Sequence, residues 1–296
     1  MKFAAIDIGS NAVRLAISRP LSPTKKDSDF KKVEFTRLPL RLGDEVFNKG
    51  AIGKKRQDLL EKSMKAFALL MEIYNVDDYR ACATSAMRDA GNAKDIVKAV
   101  KENSGIKIDI ITGREESRLI QLAVLKTLPN KHDLLHIDIG GGSTELAYLI
   151  NGKVREFESF NIGTVRAREG KIDPKEKTRM DEWVAKLSSQ ANENLQAIGT
   201  GGNIVKLNQI SGAKSNEFNH IKRLSSTVKM LKGMSQDEKI YELKLNPDRA
   251  QVISFAGDII LNILKTCNIS EIIAPNVGLK DGIMEDMWSK FHKKKA

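Results

Sequence analysis

The chain sets short apolar runs of strand type between longer stretches of helical periodicity, and it does so twice. Phe3 to Gly9 is an apolar run broken by one Asp, and Ala12 to Ser18 is a second run behind a tight turn. Val33 to Leu42 predicts a third strand. Pro20 to Lys32, with Pro23 and a Lys-Lys-Asp-Ser-Asp run, predicts a polar hairpin tip. From Lys54 to Tyr74, residues Leu59, Leu60, Met64, Phe67, Leu70 and Met71 recur near every 3.6 positions, which predicts a helix with one core-facing stripe. Tyr79 to Thr84 predicts a strand, and Asn92 to Ser104 a helix with Gly105 as its C′ residue. Ile106 to Ile111 predicts a strand, and Glu115 to Leu128 a helix stopped by Pro129.

The plan then repeats. Leu134 to Ile139, Glu145 to Ile150 and Lys153 to Asn161 predict strands, the last two joined by an Asn151-Gly152 turn of type I′. A helix from Pro174 to Glu193, a strand from Leu195 to Ile198 and a helix opening at Ile204 follow. Leu224 to Met230 and Asp237 to Leu243 predict two more helices, and Pro247 to Thr266 one long one. A strand from Ile269 to Ala274 and a final helix beyond Gly282, reaching about His292, close the chain. The reading is an α/β protein of duplicated βββαβαβα halves, with extra helices in the second.

A shared motif sharpens the duplication. Ile6-Asp7-Ile8-Gly9-Ser10-Asn11-Ala12-Val13-Arg14-Leu15-Ala16 aligns without a gap on Ile137-Asp138-Ile139-Gly140-Gly141-Gly142-Ser143-Thr144-Glu145-Leu146-Ala147. A turn of small residues leaves backbone N–H groups free to point at phosphate oxygens, and only small side chains let a phosphate come that close. Gly9, Ser10 and Asn11 in one copy, and Gly141, Gly142, Ser143 and Thr144 in the other, are therefore candidate phosphate-binding residues. Asp7 and Asp138 stand at strand ends, where a carboxylate can ligate a metal or a water. Ordinary tight turns compete with this reading for either copy alone. Two copies at domain spacing favour two halves closing on one phosphorylated ligand. The halves are residues 1–120 and 121–296, and a last helix of about 282–296 could pack back onto the first.

Length and composition narrow the class. With 296 residues, 41% of them hydrophobic and 29% charged, the chain can build two soluble cores. It has no stretch of about 18 uncharged apolar residues, so no membrane is expected as a partner. The first strand at about Phe3 leaves no room for a signal peptide, and a cytoplasmic location is expected. Cys82 and Cys267 lack metal-ligand spacing and read as buried thiols. The four His residues show no ligand spacing either. A net charge of +11 favours a polyanionic partner. Aromatics at 5%, not interleaved with basic residues, argue against nucleic acid and leave an inorganic polyanion.

The order of strands, helices and Asp-Gly turns resembles the actin-like (ribonuclease H-like) fold of sugar kinases and chaperone ATPases, with its interdomain cleft. Within that fold the chain resembles the exopolyphosphatase / guanosine pentaphosphate phosphatase family. The resemblance is carried by Asp7 to Asn11, Arg41-Leu42-Gly43, Ala83 to Ala90, Gly113 to Leu119, Asp138 to Glu145 and Asn161 to Arg166. Gly199 to Asn203, Asp248-Arg249-Ala250 and Gly278 to Gly282 complete it. These segments span nearly the whole chain in family order and match the family's short two-domain members. Ala12, Ser117 and Lys280-Asp281 are mild departures, standing where Ser, Ala and Arg-Glu are usual.

The resemblance implies hydrolysis of the terminal phosphoanhydride of inorganic polyphosphate, with guanosine pentaphosphate as the alternative substrate. A kinase of the same fold and a non-catalytic sensor are further readings. Glu116 is implied as the general base; from the residues alone it and Glu115 are equally first-turn carboxylates favoured by the helix dipole. Asp7 and Asp138 are implied as Mg²⁺ ligands, with Glu145 as a third carboxylate. Arg88 is implied as a phosphate ligand, its planar fork matching phosphate oxygens, against the bland reading of a surface Arg. Arg41 and Arg166 are weaker candidates of that kind. Gly201, Gly202 and Asn203 match a turn that approaches the adenosine end in actin-like nucleotide binders, and here could simply pack. A homodimer is expected.

Overall fold

The computed structural model describes residues 1–25, 27–127, 133–191, 195–214 and 217–295. The chain forms two compact units: Met1–Ala123 with Leu279–Ala296, and Val124–Gly278. In the first unit, β1 (Phe3–Ile8), β2 (Val13–Pro20) and β3 (Phe30–Leu38) form an antiparallel meander. Then come α1 (Gly43–Lys49), α2 (Lys54–Ile73), β4 (Asp78–Ala83), α3 (Ser85–Asp89), α4 (Ala93–Ser104), β5 (Ile108–Ile110) and α5 (Gly113–Thr127). The sheet order is β3-β2-β1-β4-β5, with β4 parallel to β1 and β5 parallel to β4. Every residue of β1 is buried. A strand covered on both faces has no polar side to alternate with, which is why it reads as a near-continuous apolar run.

The second unit repeats this order. The meander is β6 (Leu134–Ile139), β7 (Thr144–Ile150) and β8 (Lys153–Phe160), and φ is 51° at Asn151 and 72° at Gly152, as a type I′ turn demands. The elements α6 (Thr164–Arg168), α7 (Pro174–Gln190), β9 (Gln196–Thr200), α8 (Gly202–Ile210), β10 (Phe218–His220), α9 (Ile221–Gly233), α10 (Gln236–Tyr241), α11 (Pro247–Ala250), α12 (Ile253–Thr266) and β11 (Glu271–Ile273) follow. The sheet order is β10-β11-β9-β6-β7-β8, the first unit's pattern plus one antiparallel edge strand. The last helix, α13 (Leu279–Lys295), belongs to the first unit.

Each unit has its own core. In the first, Leu60, Met64 and Phe67 of α2 and Ile96 and Val100 of α4 cluster with Ile6, Ile8 and Leu15 of the sheet. Trp288 of α13 is fully buried and packs edge-on against Phe3 and Phe30, and its indole N–H donates to the Lys25 carbonyl at 3.1 Å. In the second, α12 contributes Ile253, Ile260, Ile263 and Leu264 to a cluster with Ile137, Leu146, Val184 and Leu231. No described helix is long and apolar enough to cross a membrane.

Some elements depart from the expectation. The run from Pro247 to Thr266 is two helices, because Val252 leaves helical φ at −121° and both it and Ile253 turn into the core. The final helix opens at Leu279, ahead of Gly282. The short helices α1, α3 and α6 and the strand β10 have no counterpart in the periodicity. Leu128, Pro129, His132 and Glu193 lie outside the described residues.

Candidate active site

In the first unit the turn after β1 is held by its carbonyls. Gly9 N–H bonds Ala12 O at 3.1 Å, and Ser10 O and Asn11 O accept from the N–H groups of Gly43 and Arg41 at 2.8 and 3.0 Å. The Arg41-Leu42-Gly43 segment thus fixes the turn from one side, with Arg41 at φ 55°. Ser10 Oγ lies 2.8 Å from Ser85 Oγ, both buried, so the first turn and the start of α3 share a hydrogen bond. Arg41 is bound to Asp44 at 2.7 Å. Asp7 faces Arg14 across the β1–β2 ladder and accepts its guanidinium N–H at 2.6 Å.

Glu116 lies in the first turn of α5, 9% exposed, with its backbone N–H on Thr112 O at 2.9 Å. Arg88, in the last turn of α3, donates from Nη1 to Ile111 O at 2.9 Å and to Glu116 Oε2 at 3.2 Å. The two sequence candidates are therefore neighbours. Glu115 has a separate environment: Arg118 holds it through Nε at 2.7 Å and Nη2 at 2.9 Å, and Arg80 reaches it at 3.2 Å. The Arg118 hydrogen bonds hold the Glu115 carboxyl below the usual carboxylate range, against its partial burial. A carboxylate committed to two guanidinium groups is a poor base, which weakens Glu115 as a candidate.

In the second unit the turn Gly140–Ser143 closes through Gly140 N–H to Ser143 O at 2.9 Å. The N–H groups of Thr164 and Val165 bind Gly140 O and Gly141 O at 3.0 and 2.8 Å, and Arg166 Nε binds Gly142 O at 2.7 Å. Gly163 lies so close that a Cβ there would overlap the Gly141 carbonyl. As in the first unit, the turn's carbonyls are taken up from behind. The Thr144 hydroxyl donates to Ile162 O at 2.6 Å, so that side chain ties the turn to the following segment.

Asp138 and Glu145 sit opposite each other on the β6–β7 ladder, 6% and 1% exposed, with carboxylate oxygens within 4.8 Å of one another. Thr200 Oγ1 donates to Asp138 Oδ1 at 2.6 Å, and Ser159 Oγ to Glu145 Oε1 at 2.9 Å. His136 Nε2 lies 2.9 Å from Thr200 Oγ1. Burial pushes this imidazole down to about 4, so it is neutral at pH 7. Since Thr200 spends its one proton on Asp138, His136 must donate from Nε2, which fixes its tautomer. Two oxygen-only carboxylates facing each other on one ladder fit a hard divalent cation such as Mg²⁺, which takes one or two protein carboxylates.

Arg14, His136, Ser159 and Thr200 were not singled out for the site by the sequence. Arg14 and Glu145 occupy the same position of the aligned motif, and His136 precedes Asp138 by two residues on one strand face, so both were open to a register argument. Thr200 and Ser159 become neighbours only through sheet pairing. Of the second-unit turn Gly201-Gly202-Asn203, Gly201 (φ 96°) has a structural need, since a Cβ there would stand 2.7 Å from Ile139 O.

Known proteins match this chain. The model of the Ppx/GppA phosphatase family matches residues 24–291. Exopolyphosphatase 1 of Mycobacterium leprae is 31% identical over 170 residues, which cover 56% of this chain and 48% of that protein. The matched stretch thus spans about half of that relative. The crystal structure of the Aquifex aeolicus member of the Ppx/GppA family is 27% identical with a TM-score of 0.78, covering 100% of this chain and 99% of that one. An exopolyphosphatase structure from Cytophaga hutchinsonii shares the fold, with a TM-score of 0.85 at 21% identity and 98% coverage of both chains.

Proposed function

The chain belongs to the Ppx/GppA phosphatase family, and from that premise we propose that it removes the terminal phosphate of inorganic polyphosphate by hydrolysis. The observation that carries this reading is Glu116: a nearly buried carboxylate in a helix's first turn, held by Arg88 and distinct from the neutralised Glu115. Transfer to water needs such a base.

In the proposed reaction a water oxygen attacks the terminal phosphorus, its proton passes to Glu116, and the bridging P–O bond breaks to leave a chain one phosphate shorter. Arg88 orients Glu116 and offers its fork to a phosphoryl oxygen. Backbone N–H groups of Ser10 and Asn11 and of Gly141, Gly142 and Ser143 bind phosphate oxygens, their carbonyls being engaged elsewhere, while Gly9, whose N–H is taken by Ala12 O, shapes the first turn. Asp138 and Glu145 would hold the divalent cation, which when bound neutralises charge on the phosphoryl oxygens. Asp7, bound to Arg14, is a weaker ligand than Asp138. The net charge of +11 and the curated relative's name both support a phosphate polymer as substrate. The family's double name keeps guanosine pentaphosphate as a second substrate for the same groups.

The test is phosphate release from long polyphosphate and from guanosine pentaphosphate, side by side, by wild type and Glu116→Gln. Loss of the base should lower turnover by about 10²–10⁴ while polyphosphate binding survives. Equal turnover in the variant would sink the assignment.

A further inference from the structure

The helix that carries Glu116 is gripped by α13, an element with no role in the reaction as described so far. Asp286 of α13 is 5% exposed. It accepts Arg80 Nη1 at 3.0 Å, Arg118 Nη2 at 2.9 Å and Lys290 Nζ at 2.7 Å. Arg118 and Arg80 are the same two residues that bind Glu115. Asp286 and Glu115 thus share two guanidinium groups, and Glu115 adjoins Glu116 in the chain.

A second contact lies just past Glu116. Gly282 of α13 approaches α5 so closely that a Cβ on it would overlap the Leu119 carbonyl and come within 3.0 Å of Ile120 N. The helices therefore meet at backbone distance at Leu119 and through the partly buried Asp286–Arg118 pair beside it, both within a turn of Glu116. Only glycine permits the first contact, and the second centres on the buried Asp286 carboxylate, whose removal leaves the partly buried Arg80 guanidinium short of a counter-charge. The rest of α13 is anchored independently: Trp288 and Phe291 pack with Phe3, with ring centroids at 5.9 Å for Phe3–Trp288 and 6.1 Å for Phe3–Phe291.

We propose that α13 positions the catalytic base, with Asp286 and Gly282 setting the height and rotation of the α5 turn that bears Glu116. Asp286 is a positioning residue, acting through Arg80, Arg118 and Glu115. The inference rests on Glu116 being the base. It gives the Gly278-to-Gly282 motif a purpose that phosphate binding does not: its last glycine lets α13 seat on α5.

The experiment compares wild type, Glu116→Gln, Asp286→Asn, Asp286→Glu, Gly282→Ala and Phe291→Ala for kcat, KM on long polyphosphate and thermal midpoint. A base displaced by about 1 Å costs on the order of 10²-fold in rate, so Asp286→Asn and Gly282→Ala should lose roughly ten- to a hundredfold in kcat with KM nearly unchanged. Asp286→Glu should recover part of the loss. Phe291→Ala should lower the thermal midpoint at least as far as Asp286→Asn while keeping kcat. If Gly282→Ala does not fold, the Asp286 pair decides. A wild type with turnover and an Asp286→Asn variant with full kcat overturn the positioning role alone. So does a kcat loss that tracks the thermal midpoint across all variants. A wild type without turnover, or Glu116→Gln with full turnover, overturns the base assignment and the positioning role with it.

Discussion

Asp7 and Asp138 occupy the same place in a duplicated motif, yet their cross-strand partners carry opposite charge. Asp7 faces Arg14 and is neutralised at 2.6 Å, whereas Asp138 faces Glu145. Like charges directly opposite on a ladder are destabilising, and more so where both are buried. A cation bound between Asp138 and Glu145 would relieve that repulsion, whereas Asp7 already faces the guanidinium of Arg14. Glu145→Gln should raise the thermal midpoint without divalent ions and abolish most of the rise that Mg²⁺ gives the wild type. A midpoint that responds equally to Mg²⁺ in both proteins would remove Glu145 from the cation site. Thr200→Val should leave Asp138 and His136 each short of a hydrogen bond, costing about 1–3 kcal/mol in urea unfolding. It should also raise the Mg²⁺ concentration needed for half-maximal stabilisation. Thr200→Ser, which keeps the hydroxyl, should stay close to wild type in both respects.

Among elements, what was legible in the sequence follows burial and length. β1 and β6 are buried at every position, and their runs ending in Asp-Ile-Gly were plain. The helix α2 showed its stripe because it buries one face over twenty residues. α1, α3 and α6 have seven, five and five residues, too short for a periodic pattern. They are fixed instead by distant partners, such as Gly43 N–H on Ser10 O or Thr164 N–H on Gly140 O. The site was read in a similarly divided way. The two turns showed in the residues themselves, while the choice of Glu116 over Glu115 came only with the family resemblance. Its physical reason, the guanidinium pair on Glu115, joins residues from β4 and α5 that no local pattern connects. The turn of the second unit offers a test at this scale. Gly163→Ala would force the backbone of Gly141 and Gly142 aside, and overpacking of this kind costs about 1–3 kcal/mol. Urea unfolding should show that loss together with a fall in phosphate release.

At the scale of the whole molecule, two properties reach beyond any one element. The first is charge. With a net +11, attraction to a long polyanion should weaken with salt, since the Debye length falls from about 10 Å at 0.1 M to about 3 Å at 1 M. KM for long polyphosphate should rise steeply over that range, with kcat changing far less. The second is the pair of separate cores, each holding one buried thiol: Cys82 in the first unit and Cys267 in the second. Burial pushes both up to about 12, so neither is a thiolate near neutral pH. A thiol reagent at pH 8 should find both silent in the native protein, and their release in urea should report the unfolding of each unit separately.

Hydrolysis of a terminal phosphoanhydride with Glu116 as the base is the reaction proposed for this family member. Orthophosphate release from long polyphosphate in Mg²⁺, by wild type and by Glu116→Gln at matched substrate occupancy, tests it most directly. The wild type should release orthophosphate steadily, and the variant, which still binds the polymer, should be slower by about 10²–10⁴. Release at equal rates from the two proteins, or none from the wild type on either polyphosphate or guanosine pentaphosphate, would contradict it.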